Sequence, residues 1–162
     1  MIKSAAVLML VLAPCVASAE VVRHKLPNNS TFPIAAAVEV PAGATTVYLS
    51  GTVPPVADAD APANTVAAYG NTQVQTVSVL KAIDAQLKGL GLTMGDVVKM
   101  QVFLVGDPAM DGRMDFGGFM KGYSEFFGTQ AQPNLPVRST MQVAALANPG
   151  FLVEIEVTAV RP

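Results

Sequence analysis

The run Pro136-Val137-Arg138-Ser139-Thr140-Met141-Gln142-Val143, then the break Ala147-Asn148-Pro149-Gly150, then Phe151-Leu152-Val153-Glu154-Ile155-Glu156-Val157-Thr158-Ala159-Val160, decides how this chain is read. Both arms, Val137 to Leu146 and Phe151 to Val160, are rich in β-branched and apolar residues. The Asn-Pro-Gly between them is turn chemistry, so the block predicts two strands joined as a hairpin. On that reading a permanent cation, Arg138, and a carboxylate, Glu154, stand on neighbouring strands. Glu154 and Glu156 lie two apart and therefore share one side of theirs. Spacing alone does not separate a working pair from a solvated surface ion pair.

Moving back along the chain, Asp111 to Phe127 carries Met114, Phe116, Phe119, Met120, Tyr123, Phe126 and Phe127 at helical spacing. It predicts a helix weakened by Gly117-Gly118, its aromatic and methionine stripe forming core. Val97 to Val105 alternates, with Val98, Met100, Val102 and Leu104 opposing Lys99 and Gln101, which predicts a strand. Thr72 to Leu90 repeats Val74, Val77, Leu80, Ala82, Ile83 and Leu87 every three or four residues and stops at Gly89-Leu90-Gly91, an amphipathic helix. Thr52 to Asn64 holds Pro54, Pro55 and Pro62 and reads as loop. Ile34 to Val40 and Thr45 to Ser50, parted by Pro41-Ala42-Gly43, read as a second hairpin, with Tyr48 in a packing role. Residues 20 to 33 read as a short edge strand and a turn-rich loop. The order strand, strand, helix, strand, helix, strand, strand predicts an α+β domain: a mixed sheet with both helices packed on one face. The opposite face of such a sheet is expected to be apolar and covered by self-association.

The chain has 162 residues, of which 51% are hydrophobic, enough for one well-buried domain. Residues 1–19 are expected to lie outside it. Lys3 gives a basic start, Ala5 to Val16 an apolar stretch, and Ala17-Ser18-Ala19 a cleavage signature before Glu20, which together read as a secretory signal peptide and a periplasmic or secreted address. About twelve apolar residues interrupted by Pro14 are too few to span a bilayer, which needs about 20. Cys15 is the one cysteine, and Pro14 before it makes a poor lipid-attachment motif. A mature chain of residues 20–162, a single domain, then has no disulfide, no thiol nucleophile and no thiolate ligand. Twelve acidic against ten basic residues, with no Lys/Arg cluster, argue against nucleic acid as partner. His24 is the only histidine, stands beside Arg23 and Lys25 in a solvated setting, and belongs to no His/Asp/Glu cluster, so no metal is expected.

Several ordered pieces carry a resemblance. These are Tyr48-Leu49-Ser50-Gly51-Thr52-Val53-Pro54, Thr72-Gln73 with Leu80-Lys81-Ala82-Ile83, Leu90-Gly91-Leu92-Thr93-Met94-Gly95-Asp96 running into Val97 to Leu104, Tyr123-Ser124-Glu125-Phe126-Phe127, and the block from Pro136 to Val160. In this order, over roughly residues 30 to 161, they resemble the RidA (Rid/YjgF) family of enamine/imine deaminases. The resemblance implies a chorismate-mutase-like fold and a homotrimer with an active site in each cleft between subunits. It also implies that Arg138 is the carboxylate-binding arginine and Glu154 the catalytic glutamate, that Ser50 and Gly51 form part of the cradle, and that no cofactor is needed. The chain departs from the family on the substrate side: Phe32-Pro33-Ile34 lacks the family's tyrosine, Met120 stands for its asparagine and Thr140 for its frequent cysteine.

The implied reaction is hydrolysis of small 2-imino or enamino acids to 2-oxo acids and ammonia. A guanidinium is planar and permanently charged, so Arg138 can clamp the substrate carboxylate through two parallel hydrogen bonds. Glu154 can hold the attacking water and carry protons from it to the departing amine. Three other readings stay open: a binding protein that holds a small carboxylate without turnover, a deaminase for a larger enamine admitted near Met120, and a nuclease, which the acidic charge opposes.

Overall fold

Val97–Val105 forms strand β4 because its alternation leaves Met100, Val102 and Leu104 on one face, all fully buried, and Lys99 and Gln101 on the other. The computed structural model describes residues 20–161, and the signal-peptide expectation for residues 1–19 lies outside them. Ahead of β4 come β1 (Val22–His24), β2 (Ala37–Glu39), β3 (Thr45–Thr52), a single turn α1 (Val66–Tyr69) and the long helix α2 (Thr72–Gly89). After it come α3 (Phe116–Tyr123), β5 (Val137–Val143) and β6 (Val153–Arg161). The main sheet runs β3-β6-β4-β5, and β1 and β2 form a separate two-stranded ribbon.

This order overturns both expected hairpins. β5 pairs with β4 in parallel, Arg138 opposite Met100, while β6 is antiparallel to β3 and β4, with Glu154 opposite Phe103. β4 therefore lies between the two arms that follow one another in sequence. The reason is burial. β4 and β6 have the most complete apolar alternation and take the centre, whereas β5, with exposed Ser139, Met141 and Gln142, is fit only for an edge. A helical crossover through α3 also demands a parallel β4–β5 pair. The expected pairing of residues 34–40 with 45–50 fails likewise: β2 joins β1, His24 opposite Ala37, and contributes nothing to the main core.

Both helices cover one face, as an α+β sandwich requires. Helix α2 starts at Asn71, whose side chain accepts from the Val74 N–H at 3.0 Å. Its buried stripe is Gln75, Val79, Ile83 and Leu87 with Thr72, Thr76 and Leu80, so Val74 points outward instead of inward. Helix α3 is shorter than the expected 111–127 because Asp115 caps it through the Gly118 N–H at 2.8 Å, and Gly117-Gly118 favours no earlier start. Gly122 lets α3 lie against α2: an added Cβ would come within 2.9 Å of the Thr76 Cβ. The core joins Val79, Leu80, Ile83, Leu87, Phe119, Tyr123 and Phe127 to Met100, Leu104, Val153, Ile155 and Val157. No helix among the described residues is long and apolar enough to cross a membrane.

The other face of the sheet differs from expectation. It mixes Lys99, Gln101, Glu154, Glu156 and Thr158 with Phe103 and Val105, and Tyr48, expected to pack, is 80% exposed there.

Candidate functional site

Strand β5 points Arg138 and Thr140 toward the helix layer, because residues two apart share a face and Arg138 lies opposite buried Met100. The half-buried guanidinium sits among three rings, its carbon 4.3 Å from the centroid of Tyr123, 5.0 Å from Phe119 and 5.4 Å from Phe32. Cation–π attraction offsets part of its desolvation, contributing about 0.5–2 kcal/mol per good pair. Among the described residues no carboxylate forms an ion pair with it. Among the described residues its one hydrogen-bond acceptor is the Met120 sulfur, 3.2 Å from Nη2, and a thioether is a weak one. Nη1 is buried with no partner among the described residues, as is the Thr140 hydroxyl. Burial pushes the Arg138 pKa below its ordinary value, with neighbouring Tyr123 opposing the shift.

A buried cation and a buried hydroxyl without partners are costly, so such a pair ordinarily marks an anion or polar ligand. The Met120 sulfur lies against the guanidinium, and Thr140 stands two residues along the same face of β5. The guanidinium is held by residues expected to serve only as core. Tyr123 lies under the guanidinium while its hydroxyl donates to the Pro33 carbonyl at 2.9 Å, fixing the loop that carries Phe32. Burial pushes that hydroxyl's pKa up to about 12, the positive charge of Arg138 pulling the other way. The aromatic series continues from Phe32 to Phe116 to Phe119 to Tyr123 to Phe127, with centroid spacings of 4.9–6.5 Å.

Glu154, Ser50 and Gly51 gather elsewhere. Val153 and Ile155 point into the core, so Glu154 between them faces the opposite side of the sheet from Arg138. Its carboxylate lies over Gly51, where the β3 ladder is irregular between Leu49 and Thr52: a Cβ on Gly51 would fall on Oε1 and 2.8 Å from Cδ. Ser50, beside it, is exposed. The structure thus brings Arg138 and Met120 together with Thr140 on the same face of β5, brings Ser50, Gly51 and Glu154 together, and leaves the two groups on opposite faces with β4 between them.

Two cavities flank Arg138's end of the sheet. One of about 230 Å³ is lined by Arg138, Met100, Ile34, Ala35 and Leu26, and one of about 320 Å³ by Phe32, Ile34, Leu26, Leu135 and Arg23. The β1–β2 ribbon is tied down by Arg23, whose Nη2 donates to the carbonyls of Gly95 at 2.9 Å and Val97 at 3.3 Å, and an exposed His24–Glu39 pair at 2.6 Å joins its two strands. Behind the site, fully buried Gln75 donates to the carbonyls of Gly70 and Gly150, both at 2.9 Å, and accepts from the Leu152 N–H at 2.7 Å. It joins the start of α2 to the start of β6. Its signal in the sequence is a polar residue in phase with Val79, Ile83 and Leu87, each four residues on. Among the described residues no group of three or more His, Cys, Asp or Glu is arranged to hold a metal ion.

Residues 29–161 match the family model described as Endoribonuclease L-PSP. A RutC family protein of Haemophilus influenzae is 34% identical over 116 residues, which cover 71% of this chain and 78% of the relative. Among solved structures, TdcF of E. coli with bound serine superimposes with a TM-score of 0.56 at 31% identity, over 76% of this chain and 85% of its own. The Rid-family protein YyfB of Yersinia pestis superimposes with a TM-score of 0.64 at 23% identity, over 86% of this chain and 98% of its own, a likeness of fold.

Proposed function

Because the chain belongs to the Rid/YjgF family, we propose that it hydrolyses small 2-imino acids to 2-oxo acids and ammonia, with Arg138 binding the substrate carboxylate and Glu154 activating water. The observation that carries this reading is the half-buried Arg138, without a carboxylate partner among the described residues and with Nη1 orphaned, as is the hydroxyl of Thr140 two residues along the same face of β5. A carboxylate accepting from both would meet two unpaired donors with one ligand group. The serine bound to the E. coli relative carries a carboxylate of the same kind beside a substituted carbon.

In the proposed reaction, water held by Glu154 adds to the electrophilic iminium carbon and its proton passes to the carboxylate. Glu154 then returns the proton to the tetrahedral carbinolamine's nitrogen, the C–N bond breaks as ammonia leaves, and the carboxylate takes up the remaining hydroxyl proton, so that a neutral carbonyl is left behind. Gly51 gives that carboxylate room, and Ser50 lies at the same edge. Since Arg138 and Glu154 occupy opposite faces of one sheet, a site using both takes Arg138 from one copy and Glu154 from another. A homotrimer, whose repeated interface is head-to-tail, supplies this arrangement three times over.

Arg138→Gln tests the reading. Ammonia release from imines generated in situ by an amino-acid oxidase should fall at least about a hundredfold, the scale for loss of a substrate-orienting charge, with the oligomer intact by light scattering. Unchanged release refutes the mechanism. A role in binding without turnover is favoured by one observation: among the described residues no carboxylate pairs with Arg138. Saturable binding of 2-oxobutyrate with no ammonia from any imine would select it. The chain is further proposed to be exported with cleavage after Ala19, and N-terminal sequencing of the mature protein should begin at Glu20.

A further inference from the structure

The larger cavity is the least explained feature near Arg138. Its volume of about 320 Å³ has an apolar side formed by Leu26, Phe32, Ile34 and Leu135 and a polar side that includes Arg23 and Lys25. Pockets of about 300 Å³ and above are the size that encloses small organic ligands. It adjoins the smaller cavity lined by Arg138, since Leu26, Ile34 and Ala35 are walls of both. Phe32 links the larger cavity to Arg138 itself. Its ring lines the larger cavity, lies 5.4 Å from the Arg138 guanidinium carbon, and is 40% exposed.

We infer that this cavity receives the substrate's side chain, and that the preferred 2-imino acids carry a bulky apolar side chain, branched or aromatic, rather than a methyl or ethyl group. The inference rests on the reading of Arg138 as carboxylate anchor. A carboxylate paired with the guanidinium puts the carbons beyond it next to Phe32 and Ile34. A methyl group leaves the hollow unfilled, whereas an isobutyl or benzyl group buries apolar surface against Leu26, Phe32, Ile34 and Leu135. At the rim Arg23 donates to the Gly95 and Val97 carbonyls through Nη2, His24 pairs with Glu39, and Lys25 also lines the cavity. The Arg23 Nε, buried without a partner among the described residues, can meet a hydroxyl at the tip of a long side chain.

Binding of stable 2-oxo acids tests this independently of turnover. Titration of the protein with pyruvate, 4-methyl-2-oxopentanoate and phenylpyruvate should give dissociation constants at least about tenfold lower for the two larger ligands, the low end of what an extra methylene earns in an apolar pocket. Leu135→Trp, which fills the hollow, should bring the three within about twofold of one another, and Leu135→Ala, which enlarges it, should keep the preference should the tryptophan variant fail to fold. Equal affinities in the unaltered protein, or a preference unmoved by Leu135→Trp, overturn the inference. Rates with imines made from alanine, leucine and phenylalanine separate the two claims. A size preference in binding without ammonia release sinks the deaminase and keeps the subsite, whereas ammonia release with no size preference in binding does the reverse.

Discussion

Replacing Gly51 with alanine tests the role given to Glu154 while sparing the glutamate itself. The added Cβ would overlap the Glu154 Oε1 and lie 2.8 Å from Cδ and 3.1 Å from Cγ. Ordinary carbon contacts are about 3.5–4.0 Å, so the carboxylate has to retreat by about 1 Å. A displacement of that size at a reacting group costs on the order of a hundredfold in rate, or about 2.7 kcal/mol of transition-state stabilisation. Stability should change little. Gly51 is exposed, is absent from the glycines with positive φ, and the clashing group is the free end of a flexible side chain. Surface changes of this kind usually stay within about 0.5 kcal/mol. Ammonia release should therefore drop by about two orders of magnitude in a protein whose urea midpoint is nearly unmoved. Activity within threefold of the starting protein would refute the argument, because it would mean that the carboxylate over Gly51 does no chemistry.

Two further predictions concern the groups that hold the site. Tyr123→Phe removes the 2.9 Å hydrogen bond to the Pro33 carbonyl while keeping the ring under Arg138, so urea unfolding at neutral pH should show a loss of about 1 kcal/mol. The tyrosine's folded pKa is raised to about 12, chiefly by burial, against about 10 when unfolded. Its contribution is therefore complete below pH about 10 and is lost as the pH climbs toward about 12, a decline of roughly 2–3 kcal/mol. The stability gap between the two proteins should close and then reverse across that window, and parallel curves would contradict the assignment. Gln75→Leu leaves the Leu152 N–H and the Gly70 and Gly150 carbonyls without their buried partner. At about 1 kcal/mol or more for each, Tm should fall by roughly 10 °C, and a fall under about 3 °C would show that the backbone finds other partners.

What the sequence revealed follows from the range of the forces involved. The alternation of Met100, Val102 and Leu104 against Lys99 and Gln101 identified β4 because both faces of one strand report on their own surroundings. The phase of α2 was less clear: Val74 suggested one stripe, but Gln75 leads the buried one because its three hydrogen bonds reach Gly70, Gly150 and Leu152, two of them far along the chain. Strand partners were not legible from adjacency. The turn-rich 147–150 segment looks the same whether it closes a hairpin or carries the chain past a central strand. The residue types of the site were legible through the family resemblance. Its arrangement was not, since Arg138 meets Phe32 from the N-terminal loop and Phe119 and Tyr123 from α3, contacts that exist only once the sandwich is built.

The central claim is that each site joins Arg138 of one copy to Glu154 of another. Arg138→Gln and Glu154→Gln should each be inactive alone. Refolded together from equal amounts of unfolded chain, they should assemble at random into trimers in which about one interface in four pairs an intact Arg138 with an intact Glu154, restoring about a quarter of the starting protein's ammonia release. No recovery from well-formed mixed trimers would contradict a site shared between copies.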